Sequence, residues 1–203
     1  IYKKTDPNYP GRATIPVIVD VTTKKIVNNE SQEIMQQIET NFTDFVKTDA
    51  PDLYPENLRT EIDALNAILL AEINQGVYKI KGAKTQADYE KYFHIFFNRL
   101  DQLEARLADS RFLFGDQLTD SDIRLYVSLA RFDVAYYTTF RANRNRLIDF
   151  PNLWRYAKEL YQMPAFRETT NFDAIKKGFA LNNLEENPNQ ILFLGPDIIF
   201  WDQ

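Results

Sequence analysis

No cysteine occurs among the 203 residues. Disulfides, thiolate metal ligands and a cysteine nucleophile supplied by these residues are therefore excluded. Histidine occurs once, at His94. That rules out most zinc sites, and any Ser/His/Asp triad would have to be built on His94. Glycine is scarce, with 6 residues, and long polar–apolar periodic stretches take its place, which points to helix. No apolar run reaches the ~18 residues of a membrane span, and no signal-peptide pattern opens the chain. A soluble cytoplasmic protein, not in a membrane, is the expectation. Initiator methionine is also missing: the chain opens on Ile1-Tyr2-Lys3-Lys4-Thr5. We read this as an N-terminally truncated or incompletely ordered chain, with a processed mature terminus as the alternative. Basic charge is not in excess, since 24 Lys and Arg face 29 Asp and Glu for a net charge of −5. The only dense basic run is Arg141, Arg144 and Arg146, which argues against a nucleic-acid partner.

Hydrophobic residues make up 44% of the chain, enough for a substantial core, and aromatics 14%, with 15 Phe and 11 Tyr. Residues 14–20, Thr-Ile-Pro-Val-Ile-Val-Asp, read as a short buried strand. Thr22, Thr23 and Lys24 make a turn, and Lys25, Ile26 and Val27 return as an antiparallel partner. Two strands alone are marginal, so further sheet is expected upstream. A helical pattern opens at Ser31, with Ile34, Ile38 and Phe42 at helical spacing, and a hydroxyl at its start can cap. The stretch 43–56 carries Asp44, Asp49, Pro51, Asp52 and Pro55 and is the best boundary. Beyond it the pattern is helical throughout. Leu58, Ile62, Leu65, Leu69 and Ile73 mark one helix, with Gly76 as its stop. Tyr89, Phe93, Phe96, Phe97, Leu100, Leu103 and Leu107 mark a long second helix. Thr119 and Asp122 form a capping box for a third. Pro151 opens another at its first turn, and a short helix surrounds Phe172–Lys177. The tail from Asn182 is polar, then apolar at Ile191–Leu194 and Ile198–Trp201. The expected layout is residues 1–46 as an α/β piece, 47–56 as a linker and 57–203 as an all-α domain with an extended tail.

Several motifs carry a family resemblance. Asn28-Asn29-Glu30-Ser31 after Ile15-Pro16-Val17 looks like the glutathione-binding half of a thioredoxin-like domain. Gly76-Val77-Tyr78-Lys79, Gly115-Asp116-Gln117-Leu118-Thr119, Asp122-Ile123-Arg124-Leu125, Arg131-Phe132-Asp133, Asp149-Phe150-Pro151-Asn152-Leu153-Trp154, Tyr161-Gln162-Met163-Pro164 and Asn171-Phe172-Asp173 resemble the glutathionyl-hydroquinone reductases, also called Xi-class glutathione transferases. The likeness runs in order from about residue 1 to about residue 196. It implies a mostly α protein of glutathione-transferase fold: the last strand pair and helix of a thioredoxin-like domain, then an all-α domain.

The resemblance further implies a glutathione-dependent reductive deglutathionylation of glutathionyl-hydroquinones, with glutathione as co-substrate, no metal, a small aromatic electrophile or conjugate as the other ligand, and a homodimer. The nucleophile of that chemistry is a cysteine in a Cys-Pro-Trp motif, expected upstream of Ile1. Ile15 and Pro16 would form the cis-proline corner that pairs with the glutathione backbone. Glu30 and Ser31 would hold the γ-glutamyl end, the carboxylate at the helix start and the ammonium on Glu30. Tyr78 and Tyr136 would face the quinol, and Phe179 stands where the family has a third tyrosine. Where the family reads Gly-Phe-Ala after Gly-Val-Tyr-Lys, this chain reads Lys81-Gly82-Ala83, and Thr139 replaces an expected histidine. These departures fall in the pocket for the second substrate. Ordinary roles compete at each position: a strand-edge proline, an N-cap pair, core tyrosines. For Asp122 and Arg124 the capping role is preferred to a catalytic one, His94 reads as a core or surface histidine, and Arg131 and Asp133 as a structural pair. Two other functions stay open: a conjugating transferase with a non-cysteine active site, and a non-catalytic ligand- or partner-binding scaffold.

Overall fold

The computed structural model describes residues 1–182 and 184–202, all with side chains except Thr43 and Ile199. The polar, proline-bearing stretch ahead of residue 57 separates two units, Ile1–Glu56 and Asn57–Gln203.

In the first unit a short helix α1, Tyr2–Thr5, precedes strands β1, Ile18–Asp20, and β2, Lys25–Asn28. The strands pair antiparallel with Val19 opposite Ile26, and a register irregularity follows Ile18. Asp20 Oδ1 accepts from the Thr22 and Thr23 amides at 2.7 and 3.0 Å, which fixes the turn. These amides hold the Asp20 carboxyl below its usual value. Tyr2 is buried, its hydroxyl donating to the Thr14 carbonyl at 2.7 Å. The strand expected over 14–20 begins only at Ile18 and is half-buried rather than buried. Pro16 has no N–H to give a ladder, and residues 14–17 run as irregular chain ahead of it. Helix α2, Ser31–Asn41, follows the expected period, yet only Ile34 of its apolar row is buried, while Ile38 and Phe42 are exposed.

The second unit is helical. Helix α3, Arg59–Ile68, runs into a π-helical stretch, Leu69–Asn74, and then α4, Gly76–Gly82. Gly76 is therefore not the stop its composition suggests. The π turn shifts the register, closed by Gln75 N–H on the Leu70 carbonyl at 2.8 Å, and the chain continues as helix. The same stretch aims Asn74 across the core, where its amide donates to the Arg124 carbonyl and Ser128 hydroxyl at 2.9 and 2.7 Å. Helix α5, Gln86–Arg106, is capped by Thr85, which accepts from Asp88 N–H at 3.1 Å, and it buries Phe96, Phe97, Leu100 and Leu103. A turn over Phe112–Gln117 uses Gly115 at φ +73°, a left-handed conformation that favours glycine. Helix α6, Asp120–Arg131, follows, then a π stretch Phe132–Tyr136 and a single turn α7, Tyr137–Thr139. Helix α8, Pro151–Gln162, has Pro151 in its first turn, and Glu104 accepts from the free Asn152 and Leu153 amides at 2.8 Å each. A short α9, Pro164–Arg167, precedes α10, Phe172–Leu181, which extends beyond the expected Lys177. The core gathers α3–α6, α8 and the π turns around Leu69, Ile73, Phe96, Phe97, Leu125, Phe132, Tyr156 and Leu160.

The tail folds back on its own unit at several points, with Glu186 paired to Lys81, the Leu194 carbonyl accepting from Lys176, and Trp201 docked. Trp201 is buried against Trp154, Tyr161 and Phe172, with ring centroids 5.0–5.5 Å apart. Ile191 and Leu194 of the same tail are exposed.

Candidate functional site

The most heavily tied side chains lie at the start of α6. Asp122 accepts from the Thr119 amide at 2.8 Å and hydroxyl at 2.9 Å on Oδ2, and from the Leu113 amide and Tyr156 hydroxyl at 2.9 Å each on Oδ1. Burial pushes its carboxyl above the usual range against the pull of these donors, and burial also pushes the Tyr156 phenol up. Beside it Asp120 takes Arg124 Nε and Asn66 Nδ2 at 2.7 Å each, and Asn66 accepts from the Ser121 hydroxyl at 2.7 Å. This cluster is enclosed and its groups face one another. The structural reading of Asp122 and Arg124 fits this geometry, and no open face is left for a substrate. The buried Asn66–Asp120–Ser121–Arg124 chain was not foreseen, because Asn66 stands in α3 and only the fold brings it to α6. The expected Arg131–Asp133 pair does not form. Residues two apart on a helix point to different sides: Asp133 accepts from the Leu147 amide at 2.8 Å and lies 3.8 Å from Arg146, whereas Arg131 donates to the Val127 carbonyl at 2.6 Å.

In the first unit the Ile15–Pro16 peptide is cis, and Ile15 is exposed. Register places Asn28 opposite Ile18, so the chain entering α2 runs beside the chain leaving Pro16. Asn28 organises that entry: Oδ1 accepts from the Glu30 amide at 2.8 Å and Nδ2 donates to Glu33 at 3.0 Å. The expected hydroxyl cap is absent. Glu30 is the N-cap residue, its side chain makes no capping bond, and Ser31 lies inside the first turn. Both are exposed, at a helix start whose first amides have no intrahelical acceptor.

In the second unit Tyr78, Tyr136 and Phe179 come together, although they lie far apart in the sequence. Tyr78 in α4 meets Tyr136 edge-on at 6.2 Å, and Tyr136 meets Phe179 of α10 edge-on at 5.6 Å. Phe140, not singled out from the sequence, is the hub, at 5.0, 5.1 and 5.5 Å from Tyr78, Tyr136 and Phe179. Only its place four residues after Tyr136 could have suggested this. Tyr136 is buried and its phenol is pushed up by burial first and by the neighbouring Tyr78 second, whereas Tyr78 is 49% exposed. The replacement residue Thr139 bonds back onto its own helical stretch, its hydroxyl donating to the Ala135 carbonyl. His94 is exposed, edge-on to Phe93.

Two clefts lie elsewhere on this unit. One of about 390 Å³ is lined mainly by Ile123, Tyr126, Val127, Phe166, Thr170 and Ile175, with the Tyr126 phenol pushed up to about 12 by burial. Another of about 420 Å³ lies along Lys84, Thr85, Gln86, Tyr89, Arg141 and Asn143, with Ala83. Among the described residues no group of three or more His, Asp or Glu side chains is placed to hold a metal ion, and no helix is long and apolar enough to cross a membrane.

Comparison with known proteins places this geometry. Residues 86–159 match the glutathione S-transferase C-terminal domain, so the helical unit is that of a glutathione transferase. The chain is 40% identical over 196 residues to glutathionyl-hydroquinone reductase YqjG of Escherichia coli, covering 97% of this chain and 60% of that protein. The glutathione-bound structure of YqjG superposes with a TM-score of 0.91 at 39% identity, over 96% of this chain and 63% of that one. Glutathione transferase Xi 1 from Trametes versicolor gives a TM-score of 0.91 at 39% identity, over 97% of this chain and 68% of that one. The chain belongs to the Xi-class glutathione transferases and glutathionyl-hydroquinone reductases. It spans about 60% of the length of the curated relatives it matches.

Proposed function

We propose that the intact protein reduces glutathionyl-hydroquinone-like conjugates with glutathione. The observation that carries this reading is the convergence of Tyr78, Tyr136 and Phe179 on Phe140, an aromatic cluster from α4, the π turn before α7, and α10 in which Tyr136 and Phe140 are buried and Tyr78 is the exposed ring. A quinol ring can stack on Tyr78 while a phenol of the cluster bonds its oxygen. Glutathione is held by the first unit: the Ile15 backbone pairs with its cysteinyl backbone, the amides opening α2 with Ser31 take its α-carboxylate, and Glu30 takes its ammonium.

No thiol exists in these residues, so the nucleophile is a cysteine elsewhere in the intact protein. Its thiolate attacks the conjugate's sulfur. The carbon–sulfur bond breaks, the ring carbon keeps the electron pair and takes a proton, and hydroquinone leaves. A mixed disulfide with glutathione remains. A second glutathione thiolate attacks it, releasing oxidised glutathione and restoring the cysteine. The ring is reduced by two electrons, and the conjugate's thioether sulfur and one glutathione thiol become one disulfide. A conjugating transferase would carry a serine in place of that cysteine, and a binding scaffold would lack both.

The protein works as a homodimer through its helical unit and tail, a reading supported by the apolar Ile191 and Leu194 left exposed beyond the docked Trp201. Light scattering of the intact protein at micromolar concentration checks it, and a monomer mass refutes it. The activity is checked by chromatography: one hydroquinone and one oxidised glutathione per conjugate consumed support reduction. Formation of conjugates from free glutathione without any disulfide would support the conjugating alternative instead.

A further inference from the structure

Lys81 stands in the last turn of α4, where a cation suits the helix dipole. Its neighbour Lys79 reaches back to the π stretch before α4, its Nζ donating to the Ala71 carbonyl at 3.0 Å. Lys81 does something different. Its Nζ lies 4.8 Å from the centroid of Phe140, the hub of the aromatic cluster, and 2.9 Å from Glu186 Oε2. The ammonium is thus held at the rim of the ring set that contains Tyr78, by a cation–π contact and one ion pair. The side chain of Lys81 is 25% exposed and that of Glu186 53%. A half-exposed pair of this kind contributes little net free energy, so another carboxylate can exchange with Glu186 at small cost.

The surroundings favour the exchange. Arg141, the residue after Phe140, donates through Nη2 to the Lys81 carbonyl at 3.2 Å. The cleft of about 420 Å³ that starts at Ala83 is lined by Lys84 and Arg141, with Asp88 and Glu90 bonded to the side chains of its lining residues Thr85 and Gln86. Lys81, Lys84 and Arg141 thus gather at this end of α4 although the chain as a whole carries −5.

We propose that Lys81 makes the aromatic cluster selective for rings that carry an anionic substituent, a hydroquinone bearing a carboxylate being the representative ligand. The ring stacks on Tyr78 at the exposed edge of the cluster, one helical turn before Lys81, and its carboxylate takes the place of Glu186 on the Lys81 ammonium. This rests on the reading of the cluster as the site for the second substrate, and it names the class of that substrate.

The test is calorimetric titration of the intact protein with hydroquinone and with 2,5-dihydroxybenzoate, which is hydroquinone with one carboxylate added. The carboxylated ring is expected to bind tighter, by less than the roughly fivefold worth of a partly exposed charge pair because Glu186 is displaced. Lys81→Met should bring the ratio close to one, Lys81→Arg should keep it, and Glu186→Gln should widen it by removing the competitor. Equal affinities in the unaltered protein, or a ratio that survives Lys81→Met, would overturn the proposal. Turnover of the glutathionylated form of each ring, measured alongside, separates the two claims. Discrimination in binding without reduction of either conjugate removes the reductase reading and leaves the selectivity standing. Reduction of both at equal kcat/KM, with equal binding, leaves the reductase reading and removes the selectivity.

Discussion

Replacing Asp122 with alanine removes the one acceptor that serves four donors at the start of α6. Two of these, the Thr119 hydroxyl at 2.9 Å and the Tyr156 hydroxyl at 2.9 Å, can rotate toward other acceptors. The Thr119 and Leu113 amides, at 2.8 and 2.9 Å, cannot. Each buried donor left unpaired costs about 1–3 kcal/mol, so the substitution should lower stability by about 3–4 kcal/mol, a large part of the ~5–15 kcal/mol typical of a domain. Urea unfolding followed by tryptophan fluorescence reads it directly, since the two tryptophans, Trp154 and Trp201, pack 5.0 Å apart in the helical unit. A loss below ~1 kcal/mol would refute the assignment of Asp122 as a buried cap. The pH dependence gives a second check. Burial raises the folded Asp122 carboxyl above its ordinary 3.8. A carboxyl raised by folding binds its proton more tightly in the folded chain. Its contribution is therefore complete below 3.8 and is lost as pH rises through the folded value. Stability of the unaltered protein relative to Asp122→Asn, which does not titrate, should accordingly grow as pH falls from neutrality toward 4. A difference that shrinks over that range contradicts the burial argument.

In the intact protein Glu30→Ala should weaken glutathione binding by about 1.5–3 kcal/mol, the range for a charged hydrogen bond, and Ser31→Ala should weaken it less. Unchanged affinities by calorimetry would remove both from the site. The 203 residues by themselves should not reduce a glutathionyl-hydroquinone, because no thiol is present to form the mixed disulfide; turnover by the purified segment would refute the mechanism. Trp201→Ala should free the end of the tail and cost about 3 kcal/mol, as for a large core aromatic, with proteolysis near residue 200 as the readout. Resistance equal to that of the unaltered protein would show that the ring contacts do not hold the tail.

Much of the helical unit was legible because long amphipathic stretches state their own period. The stripe of α5, the Thr119–Asp122 cap and Pro151 at the first turn of α8 each depend on residues within a few positions of one another. What was not legible depends on distant partners. Gly76 looked like a stop because glycine is a poor helix former, but the π turn before it lets the chain continue, packed on α6. Ile34, Ile38 and Phe42 share one helical row, yet only Ile34 is covered. Tyr78, Tyr136 and Phe179 were named by resemblance and are joined by Phe140, whose role no local pattern marks. Lys81 was visible as a departure from the family pattern, but its place over a ring and against Glu186 required the fold.

Whether glutathione chemistry runs through a protein thiol can be read in one experiment. The intact protein, freed of glutathione, is mixed with a stoichiometric amount of glutathionyl-hydroquinone, quenched in acid and analysed by mass spectrometry of the whole chain and its peptides. The mechanism predicts one equivalent of hydroquinone released and one glutathione joined by a disulfide to a cysteine outside these 203 residues, the adduct disappearing when free glutathione is added. Release of hydroquinone with no protein adduct, or no release at all, would contradict it.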